Sequence, residues 1–152
     1  MTLSAPLTIV VRHPREAAAK CSILPLRGRP DLLFLEHPVR QRPNLEGYVR
    51  LAADGPELSA ADAGRGLLLL DGSWRWAEVM TRQFLDVEPR SLQAYQTAYP
   101  RRSKQYEDPA NGLASVEALF LAYHILGRPT AGLLDHYRWR GEFLRLNGLS
   151  AV

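Results

Sequence analysis

The chain is poor in the residues that build disulfide-held and metal-held folds. It carries a single cysteine, Cys21, in 152 residues, so neither an internal disulfide nor a cysteine-based zinc site can form. Its four histidines, His13, His37, His124 and His136, are scattered without the spacing of a metal-ligand set, and no metal is expected. Lysine is nearly absent: only Lys20 and Lys104 stand among the 19 basic residues. No apolar run is long enough to cross a membrane. The amino terminus runs straight into a strand-like segment rather than a secretory leader, so a reducing, cytoplasmic setting is expected. P-loop, G-x-S-x-G, G-x-G-x-x-G and H-E-x-x-H patterns are all missing, which argues against nucleotide hydrolysis, ester hydrolysis and zinc proteolysis.

What the chain has instead is arginine. The formal net charge is +3 and the isoelectric point is near 9.3. Arginine makes bidentate phosphate contacts and stacks on bases; a genome rich in arginine codons gives the same composition. The length suits one domain over residues 1–152 with a substantial core.

The most informative stretch is Gly66-Leu67-Leu68-Leu69-Leu70-Asp71-Gly72-Ser73-Trp74. Four leucines without a polar break predict a strand buried on both faces, as in a parallel sheet. In open α/β sheets ligands bind beyond the carboxyl ends of the strands, where Asp71 to Trp74 belong. Further strands are expected at Leu7–Val11, Leu32–Leu35 and Ser91–Tyr95. Residues 39–57 and 98–112 read as loops. Helices are expected at Pro14–Lys20, at a short turn capped by Ser59 with Asp62, and from Ser73, where Trp76, Met80 and Phe84 form one stripe. Two more are expected at Ser115–Leu126, apolar almost all round and stopped by Gly127, and at Thr130–Asn147. Alternating strands and helices give a parallel α/β sheet.

Three segments can carry chemistry. Asp71 can hold an amine or accept a proton, Gly72 lets a ligand approach the backbone, and Trp74 can wall an apolar pocket; the competing role is a strand end capping the next helix. Arg101, Arg102 and Lys104 beside Tyr106 suit an RNA backbone and a stacked base; the competing role is a solvated loop. Arg27, Arg29, Arg40, Arg42, Arg138, Arg140 and Arg145 extend that patch if the fold brings them together. Gly112 to Ala118 opens a helix whose free N–H groups can bind a ligand. Glu117 in its first turn reads as structural, and His124 reads as a core histidine.

Taken in order, several of these segments resemble a known family. They are His13 after the first strand, Lys20-Cys21-Ser22, Leu58-Ser59, Gly66 to Trp74 with Ala77, Leu113 to Ala118, and Trp139 with Gly141 to Asn147. The chain is similar, over nearly its whole length, to the small-subunit ribosomal-RNA aminocarboxypropyltransferases, relatives of the DTW-domain tRNA enzymes. The resemblance implies a SPOUT-like parallel sheet with a deep C-terminal trefoil knot. It implies S-adenosylmethionine (SAM) as cofactor. It also implies transfer of the 3-amino-3-carboxypropyl (acp) group to N3 of a uridine-type base in structured RNA, rRNA ahead of tRNA, with release of methylthioadenosine by a monomer.

Residue by residue, the resemblance assigns Ser22 to the ribose or amino-acid end of the cofactor and Asp71 to its amine. Trp74 and Ala77 become an apolar wall for its methyl group, and the backbone around Tyr99 and Leu113 an adenine cradle. Asp71 is also the acid expected to take the N3 proton, and Arg101, Arg102 and Lys104 are expected to bind RNA. Two rivals share the fold. A SPOUT-type methyltransferase would release S-adenosylhomocysteine, and a ribosome-assembly factor would bind RNA without catalysis.

Overall fold

The computed structural model describes residues 5–15, 22–72, 74–99 and 113–150, with the backbone alone for Trp74 and Arg75. Five strands, β1 (Thr8–Arg12), β2 (Leu32–Glu36), β3 (Tyr48–Leu51), β4 (Gly66–Asp71) and β5 (Glu88–Arg90), form one sheet of order β2-β1-β4-β3-β5. Every ladder is parallel. Among the described residues the helices are α1 (Trp74–Thr81), α2 (Ser115–Leu126) and α3 (Arg140–Leu146).

The leucine run explains the architecture. All six residues of β4 are buried. Leu67 and Leu69 join Val10, Val49, Leu119 and Phe120 in one core layer, while Leu68 and Leu70 join Ile9, Val11, Met80 and Phe84 in the other. Each leucine buried in this way contributes about 1.5–3 kcal/mol relative to an exposed one. Met80 and Phe84 of the Trp76 stripe bring α1 and the 3-10 turn after it, Arg82–Phe84, onto the second layer. Buried residues along the length of α2 fill the first layer. Gly127, at φ 73°, stops that helix in a left-handed turn. The Ser59–Asp62 capping box closes a 3-10 turn before β4.

Three sequence expectations give way. Residues 39–57 contain β3, a four-residue strand whose pattern is broken by the charged Arg50. The predicted strand Ser91–Tyr95 is mostly turn, with only a Ser91–Glu57 bridge, and the strand lies earlier, at Glu88–Arg90. Pro89 lacks an N–H, which an edge strand tolerates. The long helix expected at Thr130–Asn147 is reduced to α3, because Gly132 takes a left-handed φ of 82° and turns the chain. Leu133, Tyr137 and Leu144 still enter the core.

The expectation of a SPOUT-like fold with a deep C-terminal trefoil knot is corrected. It came with the family resemblance rather than from the residues themselves. After β5 the described residues add turns and the helices α2 and α3, with no further strand, and no knot is shown among them. The fold is a mixed α/β fold with a five-stranded parallel sheet. Among the described residues no helix is long and apolar enough to cross a membrane.

The amino ends of the strands are closed by polar side chains. Thr8 Oγ1 and the Tyr123 hydroxyl lie 2.9 Å apart, and that hydroxyl donates to Asp31 at 2.8 Å. Arg29 grips both oxygens of Asp31 at 3.0 and 3.1 Å. Burial, together with the Asp31 charge, pushes the Tyr123 phenol up to about 12.

Candidate active site at the carboxyl ends of β1 and β4

Chain connections leave β1 toward β2 on one side and β4 toward β5 on the other. Neighbouring strands with divergent connections mark the switch point of an open α/β sheet, where a crevice forms beyond their carboxyl ends. The last residues of these two strands are Arg12 and Asp71, paired in register.

Asp71 is only 3% exposed. Its Oδ2 lies 3.2 Å from Arg12 Nε, and its Oδ1 accepts from the Ser115 hydroxyl at 2.5 Å. Ser115 is the first residue of α2, so the start of this helix is tied to the end of β4. The next N–H of α2, that of Val116, donates to Ser22 Oγ at 3.1 Å. Ser22, Ser115 and Asp71, from three distant parts of the sequence, therefore form one connected set. Gly72 lets α1 come close: a Cβ there would lie 3.1 Å from Trp76 Cβ and 3.2 Å from Met80 Cε.

Glu117 organises the other half of the region. It is fully buried, and its carboxylate accepts from Thr97 Oγ1 at 2.6 Å, from the N–H groups of Ala98 and Ala114 at 2.8 Å, and from the Tyr137 hydroxyl at 2.9 Å. The Asn147 side chain holds the same segment from the far side through both backbone groups of Gln96, each at 2.8 Å. Tyr99 directly follows these clamped residues, its N–H donating to Thr97 Oγ1 at 3.0 Å and its ring edge-on to Trp139 at 5.1 Å. Leu113 is half-buried against the main core layer.

Trp74 is the first residue of α1, and Ala77 is half-buried one turn later. Arg101, Arg102 and Lys104 lie outside the described residues. Several of the arginines offered as an extended patch have carboxylate partners of their own. Arg29 is paired with Asp31, Arg42 with Asp86, and Arg145 with Glu142. His124 is exposed rather than a core histidine, because it occupies the wet last turn of α2.

The sequence reading missed a group of rings. His13 and His37 lie nearly parallel with centroids 5.4 Å apart, and Trp76 stacks on His13 at 4.3 Å. The available signal was positional: each histidine directly follows the last residue of an apolar strand. A cavity of about 620 Å³ opens at the opposite end of the sheet, lined among others by Arg42, Tyr48, Arg65 and Glu88. Its arginines are paired with Asp86 and Glu88.

Comparison with protein-family models and with curated proteins finds no match. Among solved structures, the chain is similar to the SAM-dependent rRNA:acp-transferase Tsr3 from Vulcanisaeta distributa. The TM-score is 0.71 at 22% identity, over 95% of this chain and 80% of that one. At that identity the likeness establishes a shared fold, the mixed α/β fold described above. It lends no support to the SPOUT or DTW descriptions.

Proposed function

We propose that the protein transfers the acp group of SAM to N3 of a uridine-type base in ribosomal RNA, releasing methylthioadenosine. The reading is carried by one observation. The fold shared over 95% of the chain is that of a SAM-dependent rRNA:acp-transferase, and the switch point of this chain carries a buried, arginine-paired aspartate.

The residues present fit the cofactor. Its amino-acid end bears an ammonium and a carboxylate, and Asp71 and Arg12 offer the two complementary charges side by side, 3.2 Å apart. At this low exposure such charges act more strongly than in water. Asp71 holds the amine and Arg12 the carboxylate, while Ser22 meets the ribose or the amino-acid end. Trp74 and Ala77 form the apolar wall, and the backbone near Tyr99 and Leu113 cradles the adenine, with Glu117 and Asn147 fixing the first of these two segments. Bound there, the cofactor supplies a sulfonium whose neighbouring carbons are open to nucleophilic attack. The chain's residues select among those carbons by orientation.

Asp71 was also the expected proton acceptor. With one oxygen engaged by Ser115 and the other by Arg12, the geometry favours holding the amine over taking a proton. Arg101, Arg102 and Lys104 bind RNA phosphates. The 152 residues work as one domain and as a monomer, in the cytoplasm.

The test is incubation of the protein with SAM and total RNA, followed by mass spectrometry of the small-molecule by-product. Methylthioadenosine is expected. S-adenosylhomocysteine would identify a methyltransferase instead. SAM binding with neither product in the presence of intact ribosomal subunits, or no SAM binding at all, would contradict the proposal.

A further inference from the structure

The ring stack beside Asp71 has no part in holding the cofactor as described above. His13 follows β1 and His37 follows β2, and this ladder ends with Arg12 opposite Glu36. The two imidazoles therefore leave the sheet at one level. The His13 N–H donates to the Asp71 carbonyl at 3.1 Å and the His37 N–H to the Arg12 carbonyl at 2.9 Å, which ties both rings to the Arg12–Asp71 pair. His37, His13 and Trp76 form a single stack, with interplanar angles of 22° and 17°.

The rings differ in how they are held. His13 is 7% exposed, and its Nδ1 accepts the Arg15 N–H at 3.1 Å. His37 is half-buried, and its Nδ1 has no hydrogen-bond partner among the described residues. A phenylalanine or leucine would fill a purely packing position without leaving a polar atom unpaired. A stack of flat rings that ends on a partly open imidazole offers a surface to one more flat ring. RNA bases that leave their own stack are received on histidine as on other aromatic side chains.

We propose that His37 is the platform on which the acceptor base stacks, a substrate-binding residue at the RNA side of the transfer site. The identity of that base rests on the transferase reading, whereas the stacking is tested by binding alone. The probe is a short RNA hairpin with a uridine at the centre of its loop, compared with the same hairpin carrying an abasic site there. Affinities are read by fluorescence anisotropy at one fixed salt concentration, since phosphate binding varies with salt.

The wild-type protein should bind the uridine hairpin about tenfold more tightly than the abasic one. His37→Ala should bind both hairpins at the wild-type abasic level. His37→Phe, which keeps a flat ring, should retain the preference and guard against a folding defect in the alanine variant. A wild-type protein with no preference, a preference that survives His37→Ala, or a His37→Phe variant that loses it would each overturn the proposal. Absence of methylthioadenosine in the turnover assay overturns the transferase reading alone and leaves the stacking result in place.

Discussion

At the amino ends of β1 and β2, Thr8, Tyr123, Asp31 and Arg29 form a chain of protein–protein hydrogen bonds. At the carboxyl ends of β1, β2 and β4, His37 Nδ1 meets no partner among the described residues, and Asp71 is held by a hydroxyl and a guanidinium. Both ends belong to the same sheet, and each joins a hydroxyl, a carboxylate and a guanidinium. One set is closed and stabilises the fold. The other leaves a buried ring nitrogen without a partner among the described residues. The contrast shows that burial of a polar residue says little about function until its partners are counted.

The largest effect that separates the two ends should come from Asp71→Asn. Loss of the carboxylate charge removes a charge-assisted hydrogen bond of about 1.5–3 kcal/mol, so SAM affinity measured by calorimetry should fall roughly 10- to 100-fold. Acp transfer should fall at least as far. Wild-type affinity in this variant would move the cofactor away from the switch point.

Glu117→Ala sharpens the comparison differently, because Glu117 is a closed, fully satisfied group beside the proposed cofactor site. Four donors lose their acceptor at once, and the bonds from Ala114 and Tyr137 are buried. Stability should drop by about 3 kcal/mol in denaturant unfolding. SAM binding should weaken as the segment bearing Tyr99 loosens. A loss below about 1 kcal/mol would mean that the clamp is not needed to hold it.

The amino end is tested by pH. The Tyr123 phenol is raised from 10.0 to about 12 in the fold. A raised value favours the protonated form in the native state, so this contribution is complete below pH about 10 and is lost as pH climbs toward 12. Tyr123→Phe should remove that slope from the stability–pH curve and leave SAM binding unchanged. An unchanged slope would mean that the Thr8–Tyr123–Asp31 chain does not respond as a unit.

How far these sites could be read from the sequence follows from the range of the interactions. β4 and Asp71 were legible because a run of leucines ending in an acid is a local pattern, and the bounds of α2, Ser115–Leu126, were legible because Gly127 ends it. β3 was hidden by Arg50 in the middle of four residues, and β5 by Pro89 on a sheet edge. The stack of His13, His37 and Trp76 has only a faint local signature, a histidine directly after each of two strands. It exists because two parallel strands end in register and α1 folds back over them. The same holds for Ser22, Ser115 and Asp71, which only the completed sheet brings together.

The smallest predicted effect concerns Arg101 and Arg102. Arg101→Ala together with Arg102→Ala should weaken RNA binding and make its salt dependence shallower, by about 0.9 in the log–log slope for each phosphate that is no longer neutralised. An unchanged slope would take the RNA surface elsewhere.

The most direct test of the central claim uses two labelled forms of the cofactor with small-subunit ribosomal RNA, one labelled in the carboxyl carbon and the other in the methyl group. If the switch point presents the propyl chain to the base, the carboxyl label enters the RNA and the methyl label leaves with the small-molecule by-product. Methyl label in the RNA, with the carboxyl label left behind, would contradict the account.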